Sequence, residues 1–155
     1  METTHISPFL DPGQLIDDDL ELLLVDRYPG DSAINFVPSY RFDMSLVTSG
    51  ARCGQIELRI GSTHGIVMYG GHIGYDVSEE HRGKRYAARS CSLLLPLAKR
   101  HDLNPLWITS NPDNLPSRRT CEIIGARLIE IVDLPKETDL YQEGDRQKCR
   151  YRLDL

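Results

Sequence analysis

The seven residues Glu80-His81-Arg82-Gly83-Lys84-Arg85-Tyr86 lie between a glycine-interrupted apolar stretch, Gly70 to Val77, and an apolar stretch of helical period, Ala87 to Ala98. A short turn that feeds a helix presents backbone N–H groups without intrahelical partners, and the helix dipole favours an anion there. Arg82, Lys84, Arg85 and Arg89 add positive charge at the same place, which a purely structural turn does not need. The chemistry such a turn serves is phosphate or pyrophosphate binding.

The elements on either side must position it. Residues 1–19 carry Pro8, Pro12 and Gly13 without sustained periodicity and read as an irregular arm ahead of a single domain spanning 20–155. Leu20 to Val25 is a short apolar run that predicts a buried strand, and Pro29-Gly30-Asp31 with Pro38 makes 27–38 a loop. Ser39 to Val47 and Gln55 to Ile60 alternate apolar with polar residues, which predicts an antiparallel hairpin around Gly50 and Gly54. His72 to Val77 supplies the strand before the turn.

After the turn, Ala87, Cys91, Leu94 and Ala98, widened by Leu93 and Leu97, form one helical face; Pro96 inside it predicts a kink near 92–95. Leu106 to Thr109 reads as a strand, and a short helix begins near Pro116 and stops at Gly125. Leu128 to Val132 and Cys149 to Leu153 predict a closing hairpin joined by a charged segment. The order is that of an α+β, mixed α/β domain in which helices pack on a sheet.

Composition limits the setting. A chain of 155 residues, 40% hydrophobic, suits one globular core. Cys53, Cys91, Cys121 and Cys149 are widely spaced and form no C-x-x-C pair, so neither a metal site nor a disulfide framework is expected. No apolar run is long enough for a bilayer, and the start lacks the basic and apolar regions of a signal peptide, so a cytoplasmic protein without membrane contact is expected. The net charge of −5 argues against nucleic acid and toward a neutral or cationic partner. The run Asp17-Asp18-Asp19 reads as a solvated face.

Arg82-x-x-Arg85-x-Ala87 resembles the acetyl-CoA motif of the GNAT acyltransferase superfamily, and Asn114-x-x-Ser117-x-x-x-Cys121-Glu122-x-x-Gly125-Ala126 is similar to its second motif. The likeness to the general superfamily covers roughly residues 55–132. Gly70-Gly71-His72-Ile73-Gly74-Tyr75 and the ending Tyr151-x-Leu153-Asp154-Leu155 also resemble a subgroup of small bacterial GNAT proteins. The resemblance implies a mostly antiparallel, twisted central sheet of about six to seven strands with helices on both faces. It implies a splay between Ile73–Val77 and Leu106–Ser110, and direct transfer of an acetyl group from acetyl-CoA to an amine.

By the same resemblance Tyr75, Asp76 and Val77 hold pantetheine. Arg82, Gly83, Lys84, Arg85, Tyr86 and Ala87 hold the pyrophosphate, and Asn114 and Ser117 lie at the leaving group. Two departures stand out: Arg85 occupies the motif's central glycine, and Cys121 the tyrosine that commonly protonates the thiolate. Cys121 is a candidate acid with a small buried hydrophobe as its alternative. His72 is the candidate base, on a strand where the family often places a glutamate, with a hydrogen-bonded structural histidine as its alternative.

The resemblance implies a small-molecule or peptide amine as acceptor. The segment between the first two strands is too short for a helix pair, so the acceptor pocket is open or completed by a second copy in a homodimer. Two other readings stand beside the enzyme: a catalytically degenerate CoA-binding or regulatory module, and a nucleotide binder, which lacks G-x-G-x-x-G and the P-loop pattern.

Overall fold

The computed structural model describes residues 7–155. Chain order runs through strands β1 (Leu15–Asp17), β2 (Leu20–Tyr28), β3 (Ser39–Leu46), β4 (Arg52–Arg59) and β5 (Ile73–Val77), then helix α1 (Tyr86–Arg100) and strand β6 (Leu106–Ser110). Helix α2 (Leu115–Ile123), strand β7 (Arg127–Asp133), the short helix α3 (Asp139–Gln142) and strand β8 (Gln147–Leu153) complete it. β1 to β5 form one antiparallel sheet in sequence order, and β6-β8-β7 form a second.

Alternation explains the first sheet. Tyr40, Phe42 and Met44 on β3, with Leu20 and Leu22 on β2 and Ile56 and Leu58 on β4, turn one face into a core that α1 covers with Cys91, Leu94, Leu97 and Ala98. The hairpin β3–β4 pairs Ser39 with Arg59 and Phe42 with Ile56. The closing hairpin is β7–β8.

The described residues hold eight strands against six or seven expected, because β1 lies within the stretch read as an irregular arm. Its pairing with β2 is reinforced by Arg89. This guanidinium donates to the Asp17 carboxylate at 2.6 Å, to the Asp17 carbonyl at 2.6 Å and to the Asp19 carboxylate at 2.7 Å. Two members of the acidic run are therefore clasped by α1, and the Arg89 charge, expected to serve the basic turn, is paired with them.

α1 runs unbroken through Pro96. The missing proline N–H frees the Ser92 carbonyl, and both residues face solvent, where water can take the lost bond. A π-helical turn, Ile66–Gly70, buries Ile66 in a segment where no element was expected.

Gly71 closes this turn against β6. It has φ +75°, and a Cβ there would stand 3.0 Å from Thr109 N, 3.1 Å from the Trp107 carbonyl oxygen and 3.2 Å from Ile108 Cα. Substitution Gly71→Ala therefore meets both a left-handed backbone and rigid strand atoms. It is expected to cost about 2 kcal/mol or more, read as a lower urea midpoint at unchanged slope.

Candidate functional site

The site begins where the two sheets touch. His72 N–H donates to the Trp107 carbonyl at 2.7 Å, and Trp107 N–H donates back to His72 Nδ1 at 2.9 Å. Nδ1 is therefore unprotonated, and Nε2 carries the proton that reaches Ser62 Oγ at 3.0 Å. Beyond this point β5 and β6 share no ladder.

Arg59 N–H donates to the His72 carbonyl and Ser78 N–H to the Cys53 carbonyl, which fixes the alternation along β5. The amide and carbonyl groups of Ile73, Tyr75 and Val77 then turn away from β4 and toward the gap. The Val77 carbonyl accepts from Arg82 Nε at 3.0 Å.

A cavity of about 620 Å³ runs from this gap to the start of α1. Its wall is the turn that carries Gly83 at φ +85° and Arg85 at φ +61°, both left-handed. Arg89 N–H makes the first helical bond, to the Arg85 carbonyl at 2.9 Å, and no side chain caps the preceding amides. The N–H groups of Tyr86, Ala87 and Ala88 are thus the unfilled donors that every helix start leaves.

Arg82, Arg85, Arg119 and His81 bring positive or titratable groups to this wall, and Asp76 is its one carboxylate. Tyr75, Asp76, Val77, Arg82, Gly83, Arg85, Tyr86, Ala87, Asn114 and Ser117 all line the cavity, while Lys84 does not. His81, Pro116, Arg119, Thr120 and Ile123 line it too and were not read from sequence. His81 lies inside the turn first singled out, and Arg119 is two residues beyond Ser117 on α2.

Asn114 caps α2, its side-chain oxygen accepting from Ser117 N–H at 3.2 Å. The Tyr75 hydroxyl meets Ser117 Oγ at 2.8 Å and the Ser117 carbonyl at 3.2 Å. Burial pushes the Tyr75 phenol up, so it stays protonated.

The two candidate catalytic side chains lie elsewhere. His72 is fully buried, lines neither cavity and spends both ring nitrogens on the contacts above. Burial, with the Arg59 charge adding to it, lowers its pKa to about 4. Cys121 is also fully buried and off both cavities, and burial raises its thiol to about 12. The reading that best fits both is the structural one.

A second cavity, about 260 Å³, opens on the other side of the gap and shares Tyr75, Asn114 and Ser117 with the first. Arg59, Ser110, Asn111 and Lys148 line it. None belongs to a motif, and they come from three strands and a turn, so no spacing in the sequence announces them.

The sequence matches the model of the acetyltransferase (GNAT) domain over residues 26–127. The chain belongs to the GNAT acetyltransferase family. A search of curated proteins returns no match. Among solved structures it resembles a proposed ribosomal-protein-serine acetyltransferase from Vibrio cholerae, with TM-score 0.65 and 16% identity over 94% of this chain and 100% of that one. It resembles a GNAT-family acetyltransferase from Bacillus anthracis, with TM-score 0.57 and 23% identity over 74% of this chain and 65% of the other. A third is Mycobacterium smegmatis RimJ in complex with CoA-disulfide, with TM-score 0.58 and 21% identity over 76% of this chain and 53% of that one. The chain thus spans less than two thirds of the Bacillus and Mycobacterium proteins, and at these identities the likeness is one of fold. No helix among the described residues is long and apolar enough to cross a membrane.

The His72 geometry makes stability depend on pH. Its folded pKa of about 4 lies below the ordinary histidine value of 6.5, so its neutral form stabilises the fold above 6.5. That contribution is lost as pH falls toward 4 and is on the order of 3 kcal/mol. Unfolding free energies measured between pH 7 and pH 4 should fall accordingly. Substitution His72→Asn, whose side-chain oxygen can still accept from Trp107 N–H, should flatten the slope to the part that His101 retains, since burial lowers that group too.

Proposed function

We propose that this chain is an acetyl-CoA-dependent N-acetyltransferase that acts by direct attack of an acceptor amine on the thioester. The observation that carries the reading is convergence: every residue given a cofactor role from sequence, Lys84 apart, lines one cavity. That cavity joins unfilled helix amides to an unpaired strand edge.

Such a cavity fits a pyrophosphate at one end and an amide-bearing arm at the other. The Tyr86, Ala87 and Ala88 amides bind the phosphates, with Arg82 and Arg85 supplying charge-assisted donors. The β5 edge at Tyr75 aligns the arm by strand-like hydrogen bonds and polarises the carbonyl. Bound acetyl-CoA supplies the activated acyl group.

The hydroxyl pair Tyr75–Ser117 lies where the two cavities meet and, in place of Cys121, relays the proton released by the attacking nitrogen to the departing thiolate, so that both hydroxyls end the transfer protonated. His72 holds the sheets together at the gap rather than taking a proton. The enzyme works in the cytoplasm, as four buried unpaired cysteines suit, and 20–155 forms one domain that β1 extends.

The competing reading, a CoA-binding module without turnover, draws on Arg85, whose left-handed backbone costs about 1 kcal/mol that glycine would not. Release of free CoA thiol from acetyl-CoA across an amine panel decides between them. Binding without release on any amine would favour the module. For the enzyme, Tyr75→Phe and Ser117→Ala should each lower kcat by about tenfold to a hundredfold, with the KM for acetyl-CoA changed less than about threefold. Arg85→Ala should instead raise that KM by about tenfold at similar kcat, and a lowered kcat with unchanged KM would remove Arg85 from the phosphate site.

A further inference from the structure

We infer that the acceptor carries a carboxylate beside its amine, as an amino acid does, and that Arg59, Lys148 and Ser110 recognise this carboxylate in the second cavity. The inference rests on the acyltransfer reading for the place of the amine, and on the second cavity alone for the acid.

The cavity's charged lining is two cations, Arg59 and Lys148, with no carboxylate among its lining residues. Each cation has its counter-charge behind the wall: Glu57 Oε2 lies 3.5 Å from Arg59 Nη2, and Asp145 Oδ2 3.1 Å from Lys148 Nζ. Arg59 Nη1 donates to the carbonyls of Gly70 and Gly71 at 3.1 and 3.0 Å, which fixes the plane of the guanidinium. A Cβ on Gly74 would stand 2.9 Å from Arg59 Nη2, so the bare glycine is what lets this group lie over β5. Asn111 Oδ1 accepts from Lys148 Nζ at 2.6 Å and aligns the ammonium.

Ser110 points independently to a ligand. It is 4% exposed and lines this cavity, yet its Oγ has no hydrogen-bond partner among the described residues. A buried hydroxyl left unpaired costs free energy that a bound acceptor group would recover. A planar carboxylate suits this set, since a guanidinium fork and a hydroxyl can both donate to it.

The charge also serves the amine. Nearby cations lower the pKa of an ammonium and favour the free amine that must attack, and the carboxylate offsets the repulsion that an amine alone would meet. A volume of about 260 Å³ has room for a group the size of a small amino acid.

The test is calorimetric binding of product-like pairs to the full chain saturated with CoA. N-acetylglycine, N-acetylalanine and N-acetylleucine are compared with N-methyl-, N-ethyl- and N-isoamylacetamide, which lack only the carboxylate. At least one acid should bind about tenfold or more tightly than its neutral mate, the scale of a charge-assisted contact. The preference should fall below about threefold in Arg59→Gln and narrow in Ser110→Ala, a change that removes no side-chain hydrogen bond among the described residues. Neutral mates binding as well as the acids, or no acid binding at all, overturns the inference. A parallel acetyl-CoA titration separates the two claims: acetyl-CoA binding without carboxylate preference ends this inference alone, whereas acid binding without acetyl-CoA binding ends the acyltransfer reading alone.

Discussion

The two sheets of this protein are joined at the gap by a reciprocal pair of hydrogen bonds, His72 N–H to the Trp107 carbonyl and Trp107 N–H to His72 Nδ1. A ladder would continue from such a pair, and here it cannot. The imidazole stands where a second backbone carbonyl would, so β5 and β6 part immediately beyond it. Gly71, with no side chain between the strands, allows the approach, and burial keeps the ring neutral so that Nδ1 can accept. The edge opened by this arrangement turns the backbone of Tyr75, which lines both cavities, and of Val77, which lines the first, away from β4. The same histidine that chemistry would nominate as a base has both ring nitrogens engaged in this joint.

The turn and the gap divide the work. The turn concentrates donors and positive charge at the start of α1, where two successive departures from right-handed backbone, Gly83 and Arg85, bend the chain. Glycine adopts this conformation without steric penalty, and arginine does not. What Arg85 offers in return is a guanidinium on the cavity wall, which a glycine lacks. Arg82 contributes twice, lining the cavity and donating to the Val77 carbonyl, so the turn and the strand edge are tied by one side chain.

Local patterns in the sequence account for much of this. The alternation of Tyr40, Phe42 and Met44 and the helical spacing of Cys91, Leu94 and Ala98 place the core correctly, because periodicity reports burial directly. The lining of the first cavity is legible in sequence because its residues are contiguous or lie at motif spacing. What escaped depends on contacts between distant segments. Arg89 reads as one more cation of the turn until β1 places two aspartates on it. Pro96 reads as a helix breaker, yet it falls on the solvent side, where the lost bond can go to water. Arg59, Ser110 and Lys148 are ordinary strand residues in sequence, and only the split between sheets brings them to one cavity.

Charge shows the same limit most sharply. A net −5 points toward neutral or cationic partners, whereas cations outnumber carboxylates among the charged residues lining both cavities. The contradiction disappears when the acids are followed individually. Asp17 and Asp19 pair with Arg89, Glu130 with Arg150, Asp43 with Arg52 and Asp154 with Arg152, none of which lines either cavity. Ionic screening over about 10 Å at 0.1 M salt then separates such acids from groups inside the clefts. Potential within a low-dielectric cleft is set by its lining and not by the sum over the chain. An acidic protein can therefore offer a polyanion an attractive site, and for this chain the net charge describes the outer surface while Arg82 and Arg85 describe the turn and Arg59 and Lys148 the second cavity.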